Sequence, residues 1–278
     1  MSQYATIRYE VDDPIATITL SRPERLNAWT TTMAGEVNDA LTRAGDDKRV
    51  VGIIVTGEGR AFCSGGDLKD LTLDDLRMPR PASASVPEDA PRSEAKVKAD
   101  AGGPLSLMRS LDKPVIAAVN GPAVGMGAVI ALWADLRFMA EDAMLTLPFA
   151  QLGTVAEGGS SWLLSKLIGS AAAFDLLLSG RRIDAAEALS LGLVNRVLPT
   201  ASLIVSARDY VETLARCSPG SMATIKRQIY DDQDRTLAEA SSAARTLLAA
   251  CVDSGDIQEG WQAFVEKRPP RYARLGVE

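Results

Sequence analysis

The sequence contains no histidine. That absence removes serine-histidine and cysteine-histidine nucleophile pairs and every imidazole metal site, so acid-base chemistry falls to carboxylates, lysines and tyrosines. Cysteine is scarce. Cys63, Cys217 and Cys251 are odd in number, far apart and without zinc-type spacing, which suits a reducing compartment better than a disulfide framework. No uninterrupted apolar run approaches the length of a membrane-spanning helix, and the stretch from Val124 to Leu136, rich in small apolar residues, reads as a buried helix. The N-terminal segment lacks both a basic stretch leading into an apolar core and an Arg/Ser-rich presequence, so a soluble cytoplasmic protein with no membrane partner is expected. Positive charge is not in excess either. A formal net charge of -6 argues against nucleic acid as a partner, and an anionic ligand would need local donors.

What is present is a chain of 278 residues, 46% hydrophobic, long enough for one large core or a core with an appendage. Alternation at Thr6, Arg8 and Glu10, then Ile15, Thr17 and Thr19, around the turn formers Asp12, Asp13 and Pro14, predicts a β-hairpin. Met33, Val37, Ala40 and Leu41 mark a helix between Thr30 and Ala44, and strands are expected at Val50 to Val55, Val115 to Val119 and Met144 to Leu147. From Ile183 onward helices dominate: Ala185 to Leu191, Leu203 to Arg216, Ser221 to Asp231 and Leu237 to Cys251. Between Asp74 and Pro104, five prolines among Ala, Ser, Arg and Glu predict a mobile surface loop. Strands first and helices later imply an α/β core followed by a helical appendage.

Two glycine-bearing loops each follow a strand. Ala61-Phe62-Cys63-Ser64-Gly65-Gly66-Asp67-Leu68 reads either as a tight turn or as a backbone approach to a ligand. Asn120-Gly121-Pro122-Ala123-Val124-Gly125-Met126-Gly127 leads into a helix whose first N–H groups have no partners within the helix, although its glycines also serve close packing. Together, two such loops can aim two backbone N–H groups at one carbonyl oxygen, an oxyanion hole that needs no ionisable residue.

These segments, with Arg25-Leu26-Asn27-Ala28, Lys113-Pro114-Val115-Ile116-Ala117-Ala118-Val119-Asn120-Gly121 and Phe264-Val265-Glu266-Lys267-Arg268, resemble in order the recurrent motifs of the crotonase (enoyl-CoA hydratase/isomerase) family. The resemblance covers nearly the whole chain. It implies an α/β fold, a crotonase-like spiral of ββα units over residues 1–198 with a C-terminal helical trimerisation region over 199–278, assembled as a homotrimer or dimer of trimers. It implies an acyl-CoA or enoyl-CoA substrate, with coenzyme A as part of the thioester and no prosthetic group. It places the oxyanion N–H groups at Gly66 and Met126. CoA contacts carry over to Arg25, Asn27, Ala28, Gly65, Asp67, Leu68 and Lys69, with Phe264 and Lys267 reaching the CoA of a neighbouring subunit. Asp67 reads equally well as a residue that fixes its own loop, and the lysines as solvated surface groups.

The family hosts several reactions behind one oxyanion hole. Where its hydratases carry two glutamates, this chain has Val129 and Phe149. Glu157, in Val155-Ala156-Glu157-Gly158-Gly159, stands where the family's isomerases carry their single acidic base, and its plain alternative is a first-turn carboxylate favoured by the helix dipole. Phe149, with Trp133 and Trp162, is a candidate wall of an acyl pocket or simply core. The resulting expectation is a Δ3-Δ2-enoyl-CoA isomerase. The alternatives are a hydratase with a non-standard acid-base set, an acyl-CoA hydrolase, or a CoA-binding protein without catalysis.

Overall fold

The computed structural model describes residues 4–67 and 104–277. The expected loop from Asp74 lies outside the described residues, as do Leu68 and Lys69.

The hairpin forms as expected: β1 (Ile7–Asp12) and β2 (Ile15–Leu20) pair antiparallel, with Ile15 opposite Asp12. β3 (Gly52–Gly57) and β4 (Val115–Val119) then extend the sheet in parallel. Every residue of these two strands is buried, which is why they read as unbroken apolar runs rather than as alternation. Beyond β4 lie β6 (Leu136–Ala140) and β9 (Arg196–Leu198), giving the order β1-β2-β3-β4-β6-β9. A second, three-stranded sheet combines β5 (Ala123–Val124), β7 (Met144–Thr146) and β8 (Ile183–Asp184).

Helix α1 (Thr31–Asp46) is started by the Thr30 hydroxyl, which accepts the Met33 N–H, and it buries Met33, Val37, Ala40, Leu41 and Ala44 on one stripe. The short α2 (Leu107–Ser110) precedes β4. The predicted helix from Val124 to Leu136 is shorter than expected: α3 spans Met126–Trp133, and the residues after it turn into β6. Asp135 makes that turn, because its own N–H donates to the Val115 carbonyl while its carboxylate accepts the Val115 N–H at 2.7 Å. Asp135 and Arg137 are the charged residues at this boundary, and both side chains are bonded to backbone groups rather than left to solvent.

α4 (Ser160–Ser179) is long and apolar enough to meet the length and composition of a membrane span, although Lys166 and Asp175 interrupt its apolar run. Gly169, at φ 77° and ψ 159°, breaks it into two pieces, and Leu163, Leu164, Ala173 and Leu176 are buried in the core. α5 (Ala185–Ser190) precedes β9, and α6 (Leu203–Leu214) lies on the sheet with Leu203, Ala207 and Val211 fully buried. α7 (Pro219–Asp231), α8 (Leu237–Asp253) and α9 (Asp256–Glu266) complete the chain, and α8 has no buried residue.

Lys113 illustrates a structural role inside one of the sequence motifs. Its ammonium donates to the carbonyls of Ala44 and Asp47, tying α1 to the start of β4, and burial pushes its pKa down to about 8.

Candidate active site

The two glycine loops are stitched to each other. Val124 N–H donates to the Cys63 carbonyl at 2.9 Å, and both Phe62 and Cys63 donate to the Pro122 carbonyl. The first loop is also fixed from below: Trp29 N–H donates to the Gly65 carbonyl at 2.7 Å, Asp67 N–H to Trp29, and Ser64 N–H to Leu26. Gly65 has φ 97°, a backbone region that side chains disfavour. Gly127 is required by proximity, since a Cβ there would lie 2.1 Å from the Cys63 carbonyl oxygen.

In this framework the N–H groups of Gly66 and Met126 donate to no acceptor among the described residues. Met126 is the first residue of α3, and Gly125, at φ 50°, turns the chain into it while its own N–H is held by Thr146. Two unpartnered N–H groups on two mutually bonded loops, one at a helix N-terminus, form an arrangement suited to a developing oxyanion.

Glu157 lies in the turn just before α4, and that turn packs on α3. Gly158, at φ 58°, packs so closely on α3 that a Cβ would sit 2.7 Å from Val129 Cγ1 and 3.8 Å from Met126 Sδ. Trp133 pins the same turn, donating its Nε1–H to the Gly158 carbonyl at 2.8 Å. Thr154 donates its hydroxyl to Glu157 Oε1 at 2.6 Å, and no described residue donates to Oε2. Glu157 is half-buried. The turn that carries Glu157 therefore packs beside Met126 and Val129 through Gly158. Thr154 had no assigned part, and Trp133 was expected only as a candidate pocket wall or core residue. Thr154, three residues before Glu157, had a signal in the Thr-x-x-Glu spacing.

The remaining site residues are placed unevenly. Asn27 is fully buried with its side chain spent on the Arg22 N–H and on the carbonyls of Glu58 and Ala61, so it shapes the loop rather than presenting an amide to a ligand. Asp67 is buried and paired with Arg22 at 3.0 Å, in keeping with its loop-fixing reading. Arg25 is exposed beside Ser64, and Ala28 is buried below it. Phe149 belongs to the core, and its carbonyl accepts the N–H groups of Leu152 and Thr154. Trp162 is not gathered with Met126 and Val129; it stacks on Arg109 and Lys166 and lines a separate cavity. Phe264 and Lys267 are exposed on α9 and at its end.

The family profile described as enoyl-CoA hydratase/isomerase matches residues 10–274. The chain belongs to this family. Among its relatives, a probable enoyl-CoA hydratase of Rhodobacter capsulatus is 34% identical over 97% of this chain and 98% of its own. A 1,2-epoxyphenylacetyl-CoA isomerase of Escherichia coli is 31% identical over 94% of this chain and 96% of its own. The crystal structure of a probable enoyl-CoA hydratase/isomerase from Mycobacterium abscessus superposes with a TM-score of 0.82 at 32% identity, covering 98% of this chain and 99% of that one. The enoyl-CoA hydratase of Bacillus anthracis does so at 0.84 and 28%, over 97% and 99%. The crotonase fold is thereby shown, and members of the family process acyl-CoA thioesters.

Two expectations follow from the site's packing. Gly127→Ala is expected to force the two loops apart; with Gly66 and Met126 as oxyanion donors, losing one would lower kcat by about 100- to 1,000-fold, which steady-state turnover at unchanged secondary structure checks. Cys63, fully buried, has its thiol pushed up to about 12 by desolvation. It should stay unmodified by a maleimide at pH 8 while exposed Cys217 is labelled, as read by peptide mass mapping.

Proposed function

We propose that this enzyme is a Δ3-Δ2-enoyl-CoA isomerase in which Glu157 is the proton carrier. The observation that carries the reading is the wall around Glu157: the carboxylate turn packs on Val129 and Met126, and the two positions where a hydration pair would stand are the apolar, buried Val129 and Phe149. Water addition needs one group to activate water and another to deliver a proton. Double-bond migration needs one group used twice.

In the proposed cycle Glu157 Oε2 removes a proton from C2 of a 3-enoyl thioester. The electron pair moves into the thioester carbonyl, and the dienolate oxygen is held by the N–H groups of Gly66 and Met126, each contributing about 3 kcal/mol. The carboxylic acid then returns the proton to C4, leaving the double bond between C2 and C3. Thr154 holds Oε1 and so orients the free oxygen. Arg25 and the backbone around Ala28 and Gly65, with Leu68 and Lys69, supply the CoA contacts, and Phe264 and Lys267 reach a neighbouring subunit. An assembly is supported by α8, which has no buried residue, and by exposed Leu237, Leu248, Trp261, Phe264 and Val265. A trimer or dimer of trimers fits that surface.

A hydratase is the second reading, favoured by the name of the Rhodobacter capsulatus relative. Incubation with 3-enoyl-, 2-enoyl- and saturated acyl-CoA separates the classes: migration of the 3-enoyl double bond is expected, whereas hydration of the 2-enoyl thioester as the faster reaction would replace the proposal.

A further inference from the structure

Trp133 stands between two compartments. On one side its indole N–H is bonded to the Gly158 carbonyl, and a Cβ on Gly159 would lie 3.2 Å from its ring, so the ring backs the turn that carries Glu157. On the other side it lines a largely apolar cavity of about 330 Å³ between α3, α4 and α7, walled by Leu132, Leu163, Leu167, Met222 and Ile225 and bordered by the Asp135–Lys226 pair. Gly66, Met126, Val129 and Glu157 are not in that lining, so the cavity and the reaction site are separate spaces with Trp133 in the wall.

The geometry of α3 gives the wall a meaning. Met126, Val129 and Trp133 fall on one face at i, i+3 and i+7, and seven residues of helix rise about 10 Å. An acyl group whose thioester oxygen is held at Met126 and whose chain follows this face therefore meets the indole. We infer that Trp133 is a specificity-determining stop, which confines the enzyme to short acyl groups, and that the apolar cavity behind it is the space a longer chain would enter if the indole were absent. The inference rests on the thioester reading of the Gly66, Met126 and Glu157 site.

The test measures binding rather than turnover. Dissociation constants of butanoyl-, octanoyl-, dodecanoyl- and hexadecanoyl-CoA are determined by calorimetry for the wild-type protein and for Trp133→Ala, Trp133→Leu and Trp133→Phe, each checked for native circular dichroism. Each further buried methylene tightens binding about fourfold. The wild-type protein and Trp133→Phe, which keeps a ring but loses the N–H, should show no gain beyond octanoyl. Trp133→Ala should bind dodecanoyl-CoA at least tenfold more tightly than octanoyl-CoA, with Trp133→Leu, the gentler replacement, in between. A wild-type affinity that climbs through hexadecanoyl, an unchanged profile in folded Trp133→Ala or Trp133→Leu, or an equal gain in Trp133→Phe would overturn the stop. If no acyl-CoA binds any of the proteins, the thioester reading itself fails and the stop fails with it.

Discussion

Glu157→Gln should lower double-bond migration by about 100- to 10,000-fold while leaving the affinity for a saturated acyl-CoA within a factor of two or three. The size follows from removing the one group that moves a proton in the proposed cycle. The unchanged affinity follows from geometry: the amide is isosteric with the carboxylate, the Thr154 hydroxyl still finds an oxygen acceptor, and the oxyanion N–H groups sit on other segments. Stopped reactions resolved by chromatography give the rate, and calorimetry gives the binding. A matched fall in both would mean that Glu157 holds its turn rather than the proton. Thr154→Val adds a graded control, since it leaves the carboxylate in place without its orienting hydroxyl and should cost activity less than Glu157→Gln.

The largest effect on stability is expected far from the chemistry, at Asp135. Its carboxylate accepts the Val115 N–H, the Tyr230 hydroxyl and the Lys226 ammonium, each at 2.7 Å. Lys226 is buried, and desolvation pulls its pKa below the usual lysine range while Asp135 opposes that shift. Asp135→Ala leaves this ammonium with only the carbonyls of Met108 and Lys113. Breaking such a pair costs about 3 to 5 kcal/mol, a large part of the total stability of an ordinary domain. Urea unfolding should show the loss as a lower midpoint at unchanged slope. Lys226→Met combined with Asp135→Leu should recover part of it, because neither charge is then buried alone, while the Val115 N–H and Tyr230 hydroxyl still lose their acceptor. This cluster holds α7 against the end of α3, so the helix that presents Met126 is anchored at its other end by an ion pair.

Several elements were legible in the sequence because each carried its own local signal. The hairpin had alternation and a turn, α1 had an apolar stripe, and β4 ran as five apolar residues between Pro114 and Asn120. β6 was not read: Asp135 and Arg137 only briefly interrupt the apolar composition that follows α3, and the distant Val115, Lys226 and Tyr230 contacts of Asp135 show where the helix stops. The start of α4 was legible after the paired glycines, but its extent was not, because its two pieces join at Gly169 in positive φ, which interrupts the period. The site divides in the same way. Gly66 and Met126 lay in recognisable loops, and Glu157 stood beside paired glycines. The packing of Gly158 on Val129, the Trp133 hydrogen bond and the commitment of the Asn27 side chain to its own loop depend on partners 25 or more residues away, which no local pattern records.

In the proposed cycle one thioester oxygen meets two backbone N–H groups while one carboxylate serves two carbons. A crystal structure with a bound acyl-CoA tests it most directly. The account predicts the thioester oxygen about 3 Å from the nitrogens of both Gly66 and Met126, with the Glu157 carboxylate within proton-transfer reach of C2 and C4. A thioester oxygen bonded elsewhere, or an acyl chain with Glu157 turned away from it, would contradict the account.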